Sequence, residues 1–158
     1  MRRTVIALAC LLPVVAAAQQ QQQPAQSQPI FNLTDEQIRG IMQIARDNLA
    51  TAKLSDGSTV APESPTEKAQ ELIPLQSGRR VVETGLLSGV AIKCGVGWRE
   101  TNFQKMMTAE RAAAQNPKAL AYVEFLHGVA MNTAQQQTKE CTPALKERVA
   151  REINSRWK

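Results

Sequence analysis

Two cysteines, Cys94 and Cys141, are the residues of this chain with the most reactive side chains. A third, Cys10, lies in an N-terminal segment that we expect to be removed. Thiol–disulfide exchangers usually carry a nearby second cysteine, and a structural zinc site needs about four ligands. Neither condition is met by two distant cysteines and the single histidine, His127. An even pair in an exported chain favours a Cys94–Cys141 disulfide, with a free Cys94–His127 nucleophilic pair as the alternative.

Glu124 and His127 are the second pair that could do chemistry. They stand three residues apart in the apolar stretch "ALAYVEFLHGVAM", so in a helix they share one face. Di-iron helical bundles use this spacing twice, and with one histidine the second copy would have to come from a symmetric dimer. We interpret the two side chains as a hydrogen-bonded polar pair at the core, which holds no metal and no cofactor. A buried neutral histidine would gain charge on acidification.

Glu100 lies in the stretch "WRETNF", between Trp98 and Phe103. Over these six residues the chain resembles the catalytic Glu-Ser-x-Phe stretch of lytic transglycosylases, although the family's downstream Gly-rich, Met-Gln-containing segment is absent. The resemblance implies that Glu100 is a general acid whose pKa is raised in an apolar pocket. A concave pocket shared by Glu100, Trp98 and His127 would favour this reading, and a flat surface would disfavour it. The alternative is a surface glutamate in the first turn of a helix, near its positive end.

The C-terminal segment "CTPALKERVAREINSRWK" combines an apolar stripe with a basic surface. Leu145, Val149, Ile153 and Trp157 recur every four residues, which predicts one buried face of a helix. Arg148 and Arg151 lie on its other faces. We regard Arg148, Arg151 and Trp157 as possible binding residues for an anionic partner, the alternative being an ordinary solvated face.

The first eighteen residues have the three-part pattern of a secretory signal peptide. A basic start, "MRRT", precedes the apolar run "VIALACLLPVV" and the small residues "AAA". The apolar run is shorter than the roughly 20 residues that a membrane-spanning helix needs. We therefore expect cleavage near Ala18-Gln19 and a periplasmic or secreted protein with no transmembrane segment. Residues 19–31 are rich in glutamine and are predicted to be a disordered leader.

The charge of the chain argues against a nucleic-acid partner. The full chain has 19 basic and 14 acidic residues, a formal net charge of +5. Loss of Arg2 and Arg3 with the signal peptide leaves 17 against 14, or +3. This small, mixed surplus is not the concentrated basic surface of a nucleic-acid-binding protein.

Residues 32–158 are predicted to form a single all-α domain, a small disulfide-stapled helical bundle of about five helices. Thr34 and Gln37 form a capping box at the start of a helix over 35–53. A second capping box at Ser64 starts a short helix that Pro74 ends.

Three further patterns predict the remaining helices. Gly85 and Gly89 stand four apart in an apolar helix that ends at Cys94, and small residues at this spacing let another helix approach closely. Residues 98–115 form the next helical stretch. Asn116-Pro117 then opens a helix apolar nearly all round, which we expect to be the central buried element.

The overall pattern resembles small secreted two-cysteine helical proteins of Gram-negative bacteria. One such group is the HdeA-type periplasmic acid chaperones, whose second cysteine leads into a basic, Trp-bearing C-terminal helix, as Cys141 does here. Another is the secreted immunity proteins that neutralise cell-wall-degrading toxins. The resemblance covers residues 90–158 and transfers no residue beyond the cysteine pair.

We therefore predict a non-catalytic periplasmic protein that binds another protein, as a chaperone, an inhibitor or immunity factor, or an envelope regulator. The expected contact surfaces are the helix over 35–53 and the basic C-terminal helix. The alternative is a peptidoglycan-cleaving enzyme that uses Glu100.

Overall fold

The structure is a computed structural model that describes residues 30–54, 56–113 and 116–157. The predicted signal peptide and most of the predicted leader lie outside these residues. Ile30 and Phe31, the last two residues of that leader, pack against the core. The six α-helices within the described residues are α1 (Asp35–Asp47), α2 (Pro65–Lys68), α3 (Leu75–Cys94), α4 (Gln104–Ala113), α5 (Pro117–Gln137) and α6 (Pro143–Arg156).

Helices α3 and α5 form the centre of the bundle. A Cβ atom on Gly85 would lie 2.5 Å from the carbonyl oxygen of His127 and 2.8 Å from Cβ of Ala130. On Gly89 it would meet the carbonyl oxygen of Met131. Only glycine lets the two backbones approach this closely. The close approach predicted from the glycine spacing is confirmed, and so is the all-α fold.

Helix α1 lies against both central helices and buries Ile38 and Ala45. Its predicted capping box at Thr34 and Gln37 is present. The predicted helix over 35–53 was too long, because Asn48 donates its side-chain amide to the carbonyl of Ile44 and a 3₁₀ turn, Leu49–Thr51, follows. Beyond this turn the chain enters a short hairpin with an isolated β-bridge between residues 53 and 59.

Two other boundaries differ from the sequence-based prediction. Helix α2 ends at Lys68, well before Pro74. The predicted helix over 98–115 begins as a π-helical turn, Arg99–Phe103, and only then becomes α4. The wider turn follows because the amides of Asn102 and Phe103 both bond to the carbonyl of Trp98.

The predicted disulfide is present and joins α3 to α6. Cys94 is the last residue of α3 and Cys141 stands just before α6, with their Cα atoms 5.2 Å apart. Gly95 ends α3 in the left-handed conformation, with φ of 61°. Helix α6 packs on α3 and on the π-helical turn, and buries Val149 and Ile153. Within the described residues, no helix is long and apolar enough to span a membrane.

Candidate functional site

A buried polar cluster joins α3, the π-helical turn, α5 and α6. The Ser88 hydroxyl donates to the carbonyl of Thr84 at 2.9 Å, and Ser88 Oγ lies 3.1 Å from His127 Nε2. Asn102 donates its amide to Ser88 Oγ and to the Thr84 carbonyl, both at 3.1 Å. Its own oxygen accepts a hydrogen bond of 3.2 Å from the indole of Trp157.

Aromatic rings cover the imidazole in this cluster. Trp98 stacks on His127 with the ring centroids 5.9 Å apart, and the Phe103 ring is 4.7 Å away. His127 is only 2% exposed. Removal from water disfavours its charged form and lowers the pKa of His127 to about 4. At neutral pH this imidazole is therefore uncharged.

The hydrogen-bond directions make this cluster structural. Ser88 has one hydroxyl proton, and the carbonyl of Thr84 takes it. The lone pairs of Ser88 then accept from Asn102 and from Nε2–H of His127. Histidine therefore donates to the serine and is not positioned as its base. With Ser88, Asn102 and His127 all buried, no substrate can reach the hydroxyl.

The predicted Glu124–His127 pair is wrong. Glu124 is exposed, and the partner of His127 is Ser88 on α3. Although the two side chains are one helical turn apart, His127 turns towards α3 and Glu124 towards solvent. The described residues also contain no group of three or more His, Cys, Asp or Glu side chains that could hold a metal ion.

The structure separates the remaining predicted residues. Trp98 and Trp157 both meet the cluster, one at His127 and the other at Asn102. Arg151 is exposed and lies 3.6 Å from Glu147 in an exposed ion pair, while Arg148 is half-buried. Both sit on α6.

Glu100 is exposed on the π-helical turn. A pocket shared with Trp98 and His127 would have favoured the enzyme reading, but these two rings stack on each other. Glu100 lines none of the four surface cavities described for this part of the chain.

A groove on the outer side of α5 has a volume of about 600 Å³. One wall is the hairpin segment 52–54. The other is α5, whose lining residues recur at helical spacing: Ala121, Glu124, Phe125, Gly128, Val129 and Asn132. The apolar side chains of Leu54, Phe125 and Val129 are half-buried. The composition of α5 predicted a helix buried on all sides. The groove shows that this prediction was wrong for one side of the helix.

The middle of the groove is open at Gly128. A Cβ atom added there would have no neighbour within 4 Å. On the rim, the exposed side chains of Lys53 and Glu124 have no hydrogen-bond or ion-pair partner among the described residues. The groove is thus an apolar channel with one positive and one negative charge at its edges.

Sequence reasoning did not identify Ser88, Asn102, Lys53 or Gly128. Ser88 and Asn102 meet His127 and Trp157 across 39 and 55 positions of the chain, and no local pattern marks such contacts. The only sequence signal for the groove was the glycine in the predicted buried helix. A glycine inside a helix lowers the stability of that helix, so its presence indicates a packing or functional reason. No protein-family model, curated protein or solved structure matches this chain.

Proposed function

We propose that this protein is a non-catalytic binding protein of the periplasm or the extracellular space, and that it binds another protein through the α5 groove. The groove itself is the observation that carries the proposal. Binding sites are typically concave, mostly apolar and edged by a few polar groups. Leu54, Phe125 and Val129 supply the apolar lining, and Lys53 and Glu124 supply the rim.

The length and the openness of the groove favour a macromolecular partner. The groove is open along α5 from Ala121 to Asn132, about 16 Å at the rise of an α-helix. Pockets for small molecules are usually enclosed and bury most of the ligand surface. An open channel of this length is better suited to a segment of a protein chain. Aromatic and aliphatic anchors with a charged rim are the usual composition of a protein interface.

The compartment is part of the proposal. The Cys94–Cys141 disulfide is compatible with an oxidising environment. Together with the signal-peptide pattern of residues 1–18 and cleavage near Ala18-Gln19, it favours export and a periplasmic protein partner. The modest mixed charge supports a protein and not a nucleic acid.

A chaperone, an inhibitor or immunity factor, and an envelope regulator all fit this reading. The enzyme alternative is weaker, because Glu100 is exposed and lines none of the four cavities. The enzyme alternative would be supported if the wild type released muropeptides and Glu100→Gln, with its fold intact, did not.

The test places a photocrosslinking amino acid at Val129 and, as a control, at Lys105, an exposed position on α4. We expect a discrete crosslinked protein from Val129 alone. The partner is then purified, and its affinity is measured with the wild type and with Gly128→Leu, which fills the groove. An affinity unchanged by Gly128→Leu, or identical crosslinking from both positions, would contradict the proposal.

A further inference from the structure

We propose that the α5 groove receives an extended segment of its partner, which hydrogen-bonds to the main chain of Lys53 and lays an apolar side chain over Gly128. This inference rests on the proposed function, since it names the form of the partner at the same groove. The arguments come from the hairpin edge, the groove floor and the rim charges.

The hairpin leaves the peptide groups of Lys53 without a partner. The amide of Val60 donates to the carbonyl of Ala52 at 3.2 Å, and the amide of Leu54 donates to the carbonyl of Ser58 at 2.8 Å. Lys53 stands between these two bonds, opposite residue 59 of the bridge. In an antiparallel pair, a residue in this position turns its own N–H and C=O away from the neighbouring strand. Neither group bonds to any other described residue.

The free edge of the hairpin faces the groove. Ala52, Lys53 and Leu54 line the groove, whereas residues 58–60 of the opposite strand do not. Segment 52–54 is therefore a wall of the groove, and it is the segment that carries the unpaired N–H and C=O of Lys53. An extended peptide supplies the matching acceptor and donor, as in other cases where a ligand strand adds to an exposed edge. A ligand helix could not, because its own peptide groups are already bonded.

Gly128 provides the place for a side chain of the ligand. At Gly85 and Gly89 the absence of a side chain is explained by the approach of α5 to α3. Gly128 has no such neighbour in the chain, and its bare backbone opens into the groove between Phe125 and Val129. An extended ligand lying along the hairpin would point alternate side chains towards α5. One apolar side chain can thus rest on Gly128 between the two apolar neighbours.

The charges at the rim define two polar positions of the ligand. Lys53 and Glu124 lie on opposite walls and are both exposed and unpaired within the described part of the chain. A ligand with an acidic residue near Lys53 and a basic residue near Glu124 complements both. Since an extended chain rises about 3.3 Å per residue, the groove holds about five residues. The partner chemistry is therefore a short apolar strand that also carries one acidic and one basic residue.

Three variants separate this inference from the proposed function. Lys53→Pro removes the free N–H, and Ala52 already has the extended conformation, with φ of −74° and ψ of 159°, that a following proline requires. Lys53→Gln is its matched control, because it loses the charge but keeps the N–H. Gly128→Leu places a side chain on the floor of the groove, and its Cβ atom would have no neighbour within 4 Å.

The probe is a panel of acetylated and amidated peptides, about seven residues long, with alternating apolar and polar residues that include one acidic and one basic residue. Binding is measured by NMR titration of the oxidised protein. We expect shifts at Lys53, Gly128 and Val129, and protection of the Lys53 amide from exchange. Lys53→Pro, or N-methylation of the peptide's pairing amide, should weaken binding by about tenfold or more, and Lys53→Gln by less.

Each outcome separates the two proposals. Suppose that Gly128→Leu loses partner and peptide binding while Lys53→Pro binds as the wild type does. The groove would then remain a docking site, but main-chain pairing would be overturned. No peptide bound below about 1 mM would also overturn the inference while leaving the crosslinked partner intact. Concentration-dependent shifts at the groove without peptide would identify a second copy as the occupant and overturn the extended-segment inference.

Discussion

His127 donates a hydrogen bond to Ser88 where the two central helices pack against each other. The backbone carbonyl of His127 lies against Gly85, and one turn further along α3 its imidazole lies 3.1 Å from the Ser88 hydroxyl. The same residue therefore makes a close backbone contact between the two helices and their central polar contact. Asn102 extends this contact to Trp157, so the cluster also fixes the end of α6.

The stability of the protein is expected to fall as the pH drops from about 7 to about 4. Burial lowers the pKa of His127 to about 4 in the folded state, against 6.5 for the free side chain. Between these values the unfolded chain binds the extra proton and the folded chain does not. The free energy of unfolding therefore rises with pH across this window, and the contribution of His127 is lost on acidification. The full effect is about 3 kcal/mol. Urea unfolding at a series of pH values measures it.

His127→Gln is the matched control, because glutamine can still donate to Ser88 but does not titrate. It should remove most of the slope of unfolding free energy against pH between 4 and 6.5. An identical slope in both proteins would show that other groups cause the pH dependence.

Three glycines of the central helices, Gly85, Gly89 and Gly128, should respond to alanine in opposite directions. Gly85→Ala places a Cβ atom 2.5 Å from a backbone oxygen, and the resulting overpacking should cost about 1–3 kcal/mol. Gly89→Ala should behave likewise. Gly128→Ala meets nothing within 4 Å and should stabilise the helix by up to about 1 kcal/mol. Thermal and urea unfolding compare the variants.

Gly40→Ala is the reference for this comparison. Gly40 is exposed on α1, and its Cβ atom would also have no neighbour within 4 Å. It should stabilise the protein as much as Gly128→Ala and leave partner binding unchanged. Destabilisation by Gly128→Ala would mean that the groove is narrower than the structure gives.

The sequence predicted those parts of the fold that depend on local patterns. Thr34, Ser64 and Asn116 each cap the helix that they precede, as their side chains and the following residues indicated. The glycine spacing in α3 predicted its contact with another helix. An even cysteine count gave the disulfide. In each case the determining residues are adjacent or one turn apart.

The functional residues were less predictable because their partners are distant in sequence. Helical spacing placed Glu124 and His127 on one side of α5, but the crossing with α3 divides that side into a buried and an exposed half. The α5 groove depends on the position of a hairpin some 70 residues earlier. Its composition indicated a loop, but could not indicate that Lys53 would present a free edge to α5.

Arg80 is expected to matter more for stability than the ion pairs of α6. It donates to Glu110, whose side chain is 3% exposed, through Nε at 3.2 Å and through a terminal nitrogen at 3.0 Å. Arg80→Met would leave a buried carboxylate unpaired and should cost about 1–3 kcal/mol. Arg151→Met removes an exposed pair and should cost less than about 0.5 kcal/mol. Equal losses in urea unfolding would contradict this difference.

Breaking the disulfide should destabilise the whole chain and loosen α6 in particular. Cys94 and Cys141 are 47 positions apart, and closing a loop of this length is worth about 4 kcal/mol in chain-entropy estimates. Helix α6 packs on α3 and the π-helical turn, and buries two residues, Val149 and Ile153. Cys141→Ala should therefore lower the unfolding free energy and reduce amide protection most strongly in α6.

Cys94→Ala and a dithiol reductant are the controls for that loss, because each removes the same disulfide by a different chemical change. The Trp157 indole and the Arg156–Glu83 ion pair, at 2.9 Å, still hold the far end of α6 when the bond is broken. We therefore expect partial opening from the Cys141 end before global unfolding, with the amide of Leu145 exchanging faster than that of Ile153. Uniform loss of protection along α6 would mean that the cluster at Asn102 does not hold the helix by itself.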